Sequence, residues 1–311
     1  MSGGGPRGAT GPARAVVTGG AGFVGSHLVD RLTAEGYDVL VVDDLSSGRA
    51  DNLPPETRIE RLDVATDDLE PALRAWRPRV VFHLAAQASV PASMNDPLRD
   101  LAVNVIGTHR VGVAARNSRA DRLLFVSSGG AVYGETTRSA TERTSPAPAS
   151  YYGVHKLAAE GHVALAGLPY AIARPSNIYG PRQSAGLEGA VVAAFLDQSR
   201  AGALHIHGDG SQTRDFVHVR DVVDALWRLA DPAAPVGIWN VASGRPVTVA
   251  GLAEVVERAI GRPLERIFGA RRPGDVTHSA MSPRALRAIG WTPATGLPEG
   301  IGELARGFAK T

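Results

Sequence analysis

The chain has 311 residues, of which 44% are hydrophobic and 21% charged, and its formal net charge is +2. It contains no basic run and no basic stripe interleaved with aromatic residues, so we expect no nucleic-acid partner. Cysteine is absent, which excludes disulfides and thiolate metal sites, and we predict no metal site.

No apolar run approaches the roughly 18 residues that a membrane span requires, so we expect no membrane partner. The length allows one large domain or two smaller ones. Residues 1–12 are rich in glycine and proline, lack the apolar segment of a secretory signal, and are predicted to form a disordered tail. These features predict a cytoplasmic protein.

Short apolar runs alternate with longer amphipathic stretches from this tail to Pro175. The runs that predict strands cover residues 15–19, 37–44, 57–64, 77–86, 122–128 and 169–175. The stretches that predict helices cover residues 22–35, 97–118 and 151–167. Apolar strands that alternate with helices are typical of a parallel sheet covered on both faces. We therefore predict an α/β fold with a doubly wound parallel (Rossmann) sheet over residues 13–174.

Beyond Pro175 the alternation of apolar runs with amphipathic stretches becomes less regular. Helices are predicted at residues 186–202, 219–230, 248–260 and 296–309, and strands at 203–208 and 237–243. We predict a smaller C-terminal lobe built from residues 175–215 and 244–311, with the elements near 216–243 returning to the first domain.

The segment TGGAGFVG at 18–25 separates the first predicted strand from the first predicted helix. Glycines at its spacing allow a tight turn whose backbone N–H groups approach a pyrophosphate at the helix N-terminus. Asp43 ends the second strand about 20 residues later, where it would bond an adenosine ribose. Its carboxylate would repel a 2′-phosphate and no arginine directly follows it, which favours NAD over NADP. A tight turn with packing glycines is the alternative interpretation.

The segment SYYGVHK at 150–156 carries a tyrosine and a lysine four residues apart. Because positions i and i+4 share a helix face, the Lys156 ammonium can lie near the Tyr152 phenol. A positive charge there favours the phenolate, so Tyr152 could act as a general base near neutral pH. Lys156 and Lys310 are the only lysines in an arginine-rich chain. Two unrelated surface residues would give the same spacing.

Further segments extend the pattern along the chain: HLAAQASV at 83–90, SSGGAVYG at 127–134, RPSNIYGPRQ at 174–183, GDGSQTRDFVHVRDV at 208–222 and RRPGD at 271–275. Together with the glycine loop and the Tyr–Lys pair, they resemble the extended short-chain dehydrogenase/reductase family. The resemblance is to its nucleotide-sugar 4-epimerases of the UDP-glucose 4-epimerase type. It implies NAD as cofactor, a UDP-sugar as substrate, and a homodimer formed through the helices near 97–118 and 151–167.

The resemblance also implies the site residues. Those implied to line the NAD site are Gly19, Gly22, Phe23, Val24, Gly25, Asp43, Asp44, Ser46, Ser47, Gly48, Asp63, Val64, Leu84, Ala85, Ala86, Asn104, Ser127, Tyr152, Lys156 and Pro175. Those implied to contact the substrate are Gln87, Ser128, Gly129, Tyr152, Asn177, Arg182, Arg214, Arg272 and Asp275. Tyr152 would be the catalytic base with Lys156 as its partner. Arg214 and Arg272 would hold the diphosphate, which suits the several fixed donors of a guanidinium.

One position departs from the family. Its members usually have a serine or threonine four residues before the tyrosine that corresponds to Tyr133, and that hydroxyl shares the substrate O4 hydrogen bond. This chain has Gly129 there. Ser128, a water molecule or another hydroxyl could substitute, or Tyr152 could act alone; we predict Ser128 as the third catalytic residue.

The implied reaction is epimerisation at C4 of a UDP-hexose through a transient 4-keto sugar. UDP-glucose and UDP-galactose are favoured over UDP-glucuronate because Ser184 stands where some uronate enzymes have an arginine. A UDP-glucuronate 4-epimerase, another nucleotide-sugar 4-epimerase, a 4-keto-sugar reductase and a non-catalytic NAD-binding module stay open. A 4,6-dehydratase is disfavoured because Gly129 and Gly130 stand where it needs an acidic pair. A uronate decarboxylase is disfavoured because Glu135 lies too far along the chain.

Overall fold

The structure is a computed structural model that describes residues 12–186, 190–271 and 276–308. Its strands are β1 (Arg14–Thr18), β2 (Asp38–Val42), β3 (Arg58–Glu60), β4 (Val80–His83), β5 (Arg122–Val126), β6 (Tyr170–Pro175), β7 (Asn177–Tyr179), β8 (Ala203–His207), β9 (Thr213–His218), β10 (Gly237–Val241), β11 (Pro246–Thr248), β12 (Glu265–Gly269) and β13 (His278–Ser279).

The α-helices of the described residues are α1 (Phe23–Ala34), α2 (Glu70–Trp76), α3 (Val90–Asn95), α4 (Pro97–Leu101), α5 (Thr108–Asn117), α6 (Gly129–Tyr133), α7 (Tyr151–Ala164), α8 (Val191–Ser199), α9 (Val219–Leu229), α10 (Val249–Ile260), α11 (Arg284–Ala288) and α12 (Leu297–Phe308). A 3₁₀ turn covers Ala50–Asn52, and a π-helical stretch, Ala102–Gly107, joins α4 to α5. None of the helices in the described ranges is both long and apolar enough to cross a bilayer.

Seven strands form one sheet in the order β10-β6-β5-β4-β1-β2-β3. Every neighbouring pair in it is parallel. The chain runs outward from β1 to β3 and then resumes with β4 on the other side of β1. Strand order therefore reverses between β1 and β4, where ligands of such sheets bind. The predicted doubly wound α/β fold is confirmed.

The central strands of the sheet are buried on both faces because they are apolar on both sides, whereas the edge strand β3 is partly exposed. One face packs against α1 and α9 through residues such as Leu28 and Leu226. The other packs against α2, α5 and α7 through residues such as Val111 and Val163. This double covering explains why continuous apolar runs, rather than alternating ones, mark these strands in the sequence.

A second core forms beyond Pro175. Residues of β8, β9, α8, α10 and α12 pack together there, around Phe195 and Leu252. Strand β9 pairs with β7, β11 and β13, and β8 pairs with β12. Strand β10 instead joins the large sheet beside β6, and α9 packs on α1. The domain boundaries of the sequence analysis stay predictions beside this arrangement.

Several short elements were not predicted from the sequence, among them α2, β7 and β12, and two further differences lie next to the site. Strand β9 was not predicted because Arg214 and Asp215 interrupt its apolar pattern. Asp215 is buried, and its carboxylate accepts hydrogen bonds from the backbone N–H groups of Ser243 and Gly244 and from the Ser243 hydroxyl. The predicted helix over 97–118 is interrupted by the π-helical stretch, which gives residues 102–107 a wider backbone.

Candidate active site

The glycine loop lies at the strand-order reversal. Gly19 adopts φ +68°, and a Cβ there would lie 2.6 Å from the Ala85 backbone nitrogen. A Cβ at Gly25 would overlap the Gly19 carbonyl, so both positions require glycine. A Cβ at Gly22 would meet nothing nearer than that carbonyl, at 3.3 Å. That contact is tight but far less restrictive than those at Gly19 and Gly25, so the backbone at Gly22 stays open to a ligand.

The N-terminus of α1 opens at this loop. Gly22 is the N-cap and supplies no side-chain cap, and the first turn, which includes Phe23 and Val24, contains no acid. Its backbone N–H groups are therefore available to an anion, and the helix dipole favours one there.

The acidic end of β2 is joined to the same loop. Asp43 is buried, and its carboxylate accepts hydrogen bonds from the backbone N–H of Ala21 and of Leu45, both at 2.9 Å. Burial raises the pKa of this carboxyl, and the two backbone bonds oppose that shift. Asp44 accepts bonds from the Ser46 backbone N–H and hydroxyl, in the turn that continues to Ser47 and Gly48.

The remaining predicted cofactor residues follow the next strands. Asp63 and Val64 come after β3, and the Asp63 carboxylate pairs with Arg99 at 3.1 Å. Leu84, Ala85 and Ala86 follow β4 directly, beside Gly19, and Pro175 ends β6. These positions lie at the carboxyl ends of neighbouring strands, along one edge of the sheet.

Asn104 lies in the π-helical stretch and is buried. Its side-chain nitrogen donates to the Gln87 carbonyl at 2.9 Å and to the Asp100 carboxylate at 3.1 Å. Its side-chain oxygen is buried without a partner among the described residues. Such an orphaned acceptor is expected where a bound group supplies the donor.

Lys156 is 2% exposed and lies at the carboxyl end of β5. Its Nζ donates to the Val126 carbonyl at 2.7 Å and stands 4.2 Å from the centroid of the Phe125 ring. The His83 ring stacks on the Phe125 ring, and their centroids lie 5.4 Å apart. Burial lowers the pKa of Lys156 to about 7, against the opposing carboxylates of Glu160 and Asp100.

Tyr152 lies one helical turn before Lys156 on α7. Ser150 caps this helix by accepting from the Gly153 backbone N–H, and the Ser93 hydroxyl accepts from the Tyr152 backbone N–H. Gly153 packs against α6 so closely that a Cβ would overlap the Ala131 carbonyl. The turn of α7 that carries Tyr152 is therefore packed closely against α6, whose N-cap is Ser128.

Ser127 and Ser128, the two serines before α6, have different surroundings. The Ser127 hydroxyl donates to Glu160 at 2.6 Å and so points into the interior. Ser128 is partly exposed, and its hydroxyl makes no capping bond with α6. The place of a side chain at Gly129 is filled by Met281, because a Cβ there would overlap Met281 Sδ. A side chain at position 129 would therefore require Met281 to move.

The predicted substrate residues are distributed over two regions. Asn177 begins β7 and pairs in register with Phe216 of β9, the strand that carries Arg214. Arg214 Nη1 donates to the Thr213 carbonyl at 2.8 Å. The predictions for Arg272 and Asp275 lie outside the described residues.

Two predicted substrate residues are engaged elsewhere in the fold. The Gln87 amide donates to the Asp100 carboxylate at 2.6 Å and to the Ser89 carbonyl at 2.9 Å. Arg182 adopts φ +66° and pairs with Asp30 of α1 at 2.8 Å. Their contacts with substrate stay predictions.

Four polar residues with ionisable side chains beside the Tyr–Lys pair were missed by the sequence analysis: Asp100, His155, Glu160 and Arg174. All four are buried. Asp100 accepts from His155 Nδ1 at 2.6 Å, and Glu160 accepts from Arg174 Nη2 at 2.5 Å. One signal was present, since Glu160 stands four residues after Lys156 and therefore on the same helix face.

Comparison with known proteins agrees with this arrangement. Residues 15–242 match the NAD dependent epimerase/dehydratase family. The UDP-glucose 4-epimerase of Mycolicibacterium smegmatis is 41% identical, and the matched residues cover 95% of this chain and 98% of that protein.

Two solved structures are similar over nearly their whole length. The UDP-glucose 4-epimerase of Thermus thermophilus, in complex with NAD, is 37% identical with a TM-score of 0.90, covering 95% of this chain and 99% of that one. The enzyme of Thermotoga maritima, with UDP-glucose, is 36% identical with a TM-score of 0.88, covering 96% and 99%. By sequence match, fold and site geometry, this chain belongs to the NAD dependent epimerase/dehydratase family.

Proposed function

We propose that this chain is an NAD-dependent UDP-glucose 4-epimerase, which interconverts UDP-glucose and UDP-galactose. The observation that carries the proposal is the place of Lys156. Its ammonium is held by the Val126 carbonyl at the carboxyl end of β5, one turn after Tyr152. This end of the sheet also carries the glycine loop and the opening between β1 and β4.

The residues present fit NAD. The uncapped N-terminus of α1 suits its pyrophosphate, and the approach left open at Gly22 suits a group that lies against the backbone. Asp43 would receive the adenosine ribose, and the orphaned oxygen of Asn104 would accept from the nicotinamide side. When bound, NAD supplies the acceptor and donor of hydride at the sugar C4.

The residues of the chain would handle the proton. Tyr152 would remove the 4-OH proton as hydride leaves C4. It would return the proton after the keto sugar has rotated to present its opposite face. The buried Lys156 ammonium would stabilise the phenolate. Ser128, whose hydroxyl is not used by α6, would bond the same sugar oxygen.

The substrate would be held by its diphosphate. Arg214 and Asn177 lie on paired strands beyond the sheet, and Arg272 and Asp275 are proposed as their partners on sequence grounds. A tether at the diphosphate leaves the keto sugar free to present its other face, and its positioning can lower the barrier by several kcal/mol.

The proposal is tested with the purified protein and no added NAD. UDP-glucose, UDP-galactose, UDP-glucuronate and UDP-N-acetylglucosamine are incubated separately, and the products are resolved by chromatography. We expect interconversion of the first two; conversion of UDP-glucuronate alone would favour the uronate epimerase instead. Tyr152→Phe should abolish conversion while the protein keeps its NAD, as measured by fluorescence and mass. Activity that survives this substitution would remove Tyr152 as the base.

A homodimer is proposed from one apolar helix surface. Large hydrophobic residues are exposed on α3, α4, the π-helical stretch and α7, which pack beside one another: Met94, Leu98, Ile106, Tyr151 and Val154. Leu98 is 76% exposed. A second copy of the chain is the occupant proposed for this surface, which we name the helical face. The cytoplasmic location stays a prediction of the sequence.

A further inference from the structure

A buried ion pair lies behind the Tyr–Lys pair. Glu160 of α7 is 4% exposed and Arg174 of β6 is 2% exposed. Arg174 Nε donates to Glu160 Oε1 at 2.8 Å, and Arg174 Nη2 donates to Oε2 at 2.5 Å. Buried ion pairs are weak contributors to stability, because desolvation offsets their attraction. The presence of this pair therefore calls for another explanation.

A hydrogen bond at the end of β5 connects the ion pair to the site. Glu160 Oε1 also accepts from the Ser127 hydroxyl at 2.6 Å. Ser127 follows Val126, whose carbonyl receives the Lys156 ammonium at 2.7 Å, and precedes Ser128. One carboxylate thus fixes the short segment that holds Lys156 and presents Ser128.

The Glu160 carboxylate also acts on Lys156 through its charge. Tyr152, His155 and Glu160 stand near Lys156 on α7; Asp100 lies on α4, His83 on β4, and Arg174 on β6. Burial is the main cause that lowers the pKa of Lys156, and the carboxylates of Glu160 and Asp100 oppose it. Asp100 is shared among Gln87, Asn104 and His155.

We propose that Glu160, held by Arg174, is a positioning residue that keeps Lys156 protonated beside Tyr152 and fixes the end of β5 before Ser128. Arg174 is held in turn, since its guanidinium lies 4.8 Å from the centroid of the Tyr133 ring. The proposal rests on the proposed function for the role of Lys156. It assigns to Glu160 no contact with substrate or cofactor.

The charge of Lys156 can be measured without any substrate. The chain has two lysines, so ¹³Cε-lysine labelling in a Lys310→Arg background leaves one side-chain signal. Its titration in the protein purified with NAD gives the Lys156 midpoint. Glu160→Gln removes a negative charge and leaves Arg174, so the midpoint should fall by about one pH unit. Arg174→Met removes the cation and leaves Glu160, so the midpoint should rise.

Activity provides a second, separate readout. In Glu160→Gln, kcat for UDP-glucose should fall at least about tenfold, while KM changes less than about threefold. The alkaline limb of the kcat profile should move in the same direction as the Lys156 midpoint. If the titrations shift as expected but no variant, wild type included, converts UDP-glucose, the proposed function fails and the charge coupling stands.

Controls separate this role from a structural one. Glu254→Gln breaks an exposed pair with Arg258 on α10 and should change neither readout. Glu160→Asp keeps the charge and a foldable core, but shortens the arm to Ser127; it should retain the midpoint and lower kcat. Midpoints that do not move, or that move the same way in Glu160→Gln and Arg174→Met, would overturn the electrostatic role. A wild-type kcat in Glu160→Asp would overturn the positioning role.

Discussion

At the residue scale, the buried ammonium of Lys156 opposes folding while it serves the site. Its pKa falls from 10.5 in the unfolded chain to about 7 in the folded one, chiefly through burial. Between pH 7 and pH 10.5 the unfolded chain binds more protons than the folded one, so the free energy of unfolding rises with pH over this range. Below pH 7 Lys156 is protonated in both states, and the full cost of burying its ammonium lowers the stability of the fold.

Lys156→Met should therefore stabilise the NAD-free protein while it abolishes activity. The gain in unfolding free energy should be on the order of a few kcal/mol at pH 6 and should shrink as pH rises toward 10.5. Urea unfolding of both proteins at several pH values measures it. A gain that grows with pH would contradict the burial of a charged Lys156.

Gly129 and Met281 form a second pair of interest, because the Met281 side chain occupies the space beside Gly129. Met281 fills the space above Gly129, so Gly129→Ser alone should clash and lower stability by about 1–3 kcal/mol. Adding Met281→Ala makes room, and the double variant should recover much of that loss. Thermal melting and kcat of the two single variants and the double variant measure the coupling. Strictly additive effects would show that the two side chains do not compete for one space.

Local patterns made part of this site predictable. Gly19, Gly25, Tyr152 and Lys156 act within one turn or one helix, so their spacing carries the information. Met281 could not be predicted, because it reaches Gly129 across nearly half the chain and leaves no spacing signal. Glu160 could have been predicted, because it follows Lys156 by four residues on the same helix. Its partner Arg174 could not, because it lies on β6 and no local spacing relates the two residues.

At the element scale, α7 shows two glycines with opposite requirements. A Cβ at Gly153 would overlap the Ala131 carbonyl of α6, whereas a Cβ at Gly161 meets nothing within 4 Å. Gly161→Ala should stabilise the protein by about 0.5–1 kcal/mol through helix propensity. Gly153→Ala should push α6 from α7, destabilise the protein and lower kcat by displacing Tyr152.

Chemical denaturation and steady-state kinetics of the two variants test this contrast. Equal behaviour of Gly153→Ala and Gly161→Ala would mean that the α6–α7 contact does not position the site.

The central strands of the large sheet were predictable because burial on both faces makes them continuously apolar. Strand β9 was not, since its Asp215 is buried to serve a distant turn at Ser243 and Gly244. The π-helical stretch around Asn104 was not either, because helical periodicity does not distinguish a wider turn. Both exceptions lie next to the site, where local rules are commonly broken.

At the scale of the whole molecule, strand order places the glycine loop, the acidic end of β2 and the Tyr–Lys pair along one edge of the sheet. The sequence predicts the fold class but not this order. The crossing from β3 back to β4 is what opens the site, and it is a long-range property of the chain.

The helical face gives a prediction about assembly. Val154→Arg and Leu98→Arg place charges on exposed apolar positions of α7 and α4, and should convert the proposed dimer into a monomer of 32.5 kDa. Light scattering after size exclusion measures the mass. Val236→Arg, an exposed apolar position away from this face, should leave the dimer intact. A wild-type monomer at micromolar concentration would contradict the proposed dimer.

The proposed reaction requires that hydride leave C4 of the sugar and return to the same carbon within one site. The most direct measurement uses UDP-glucose deuterated at C4, the purified protein, and no added NAD. We predict that UDP-galactose forms with deuterium still at C4, as read by NMR and mass spectrometry. Loss of the label to solvent, or no UDP-galactose at all, would contradict the account.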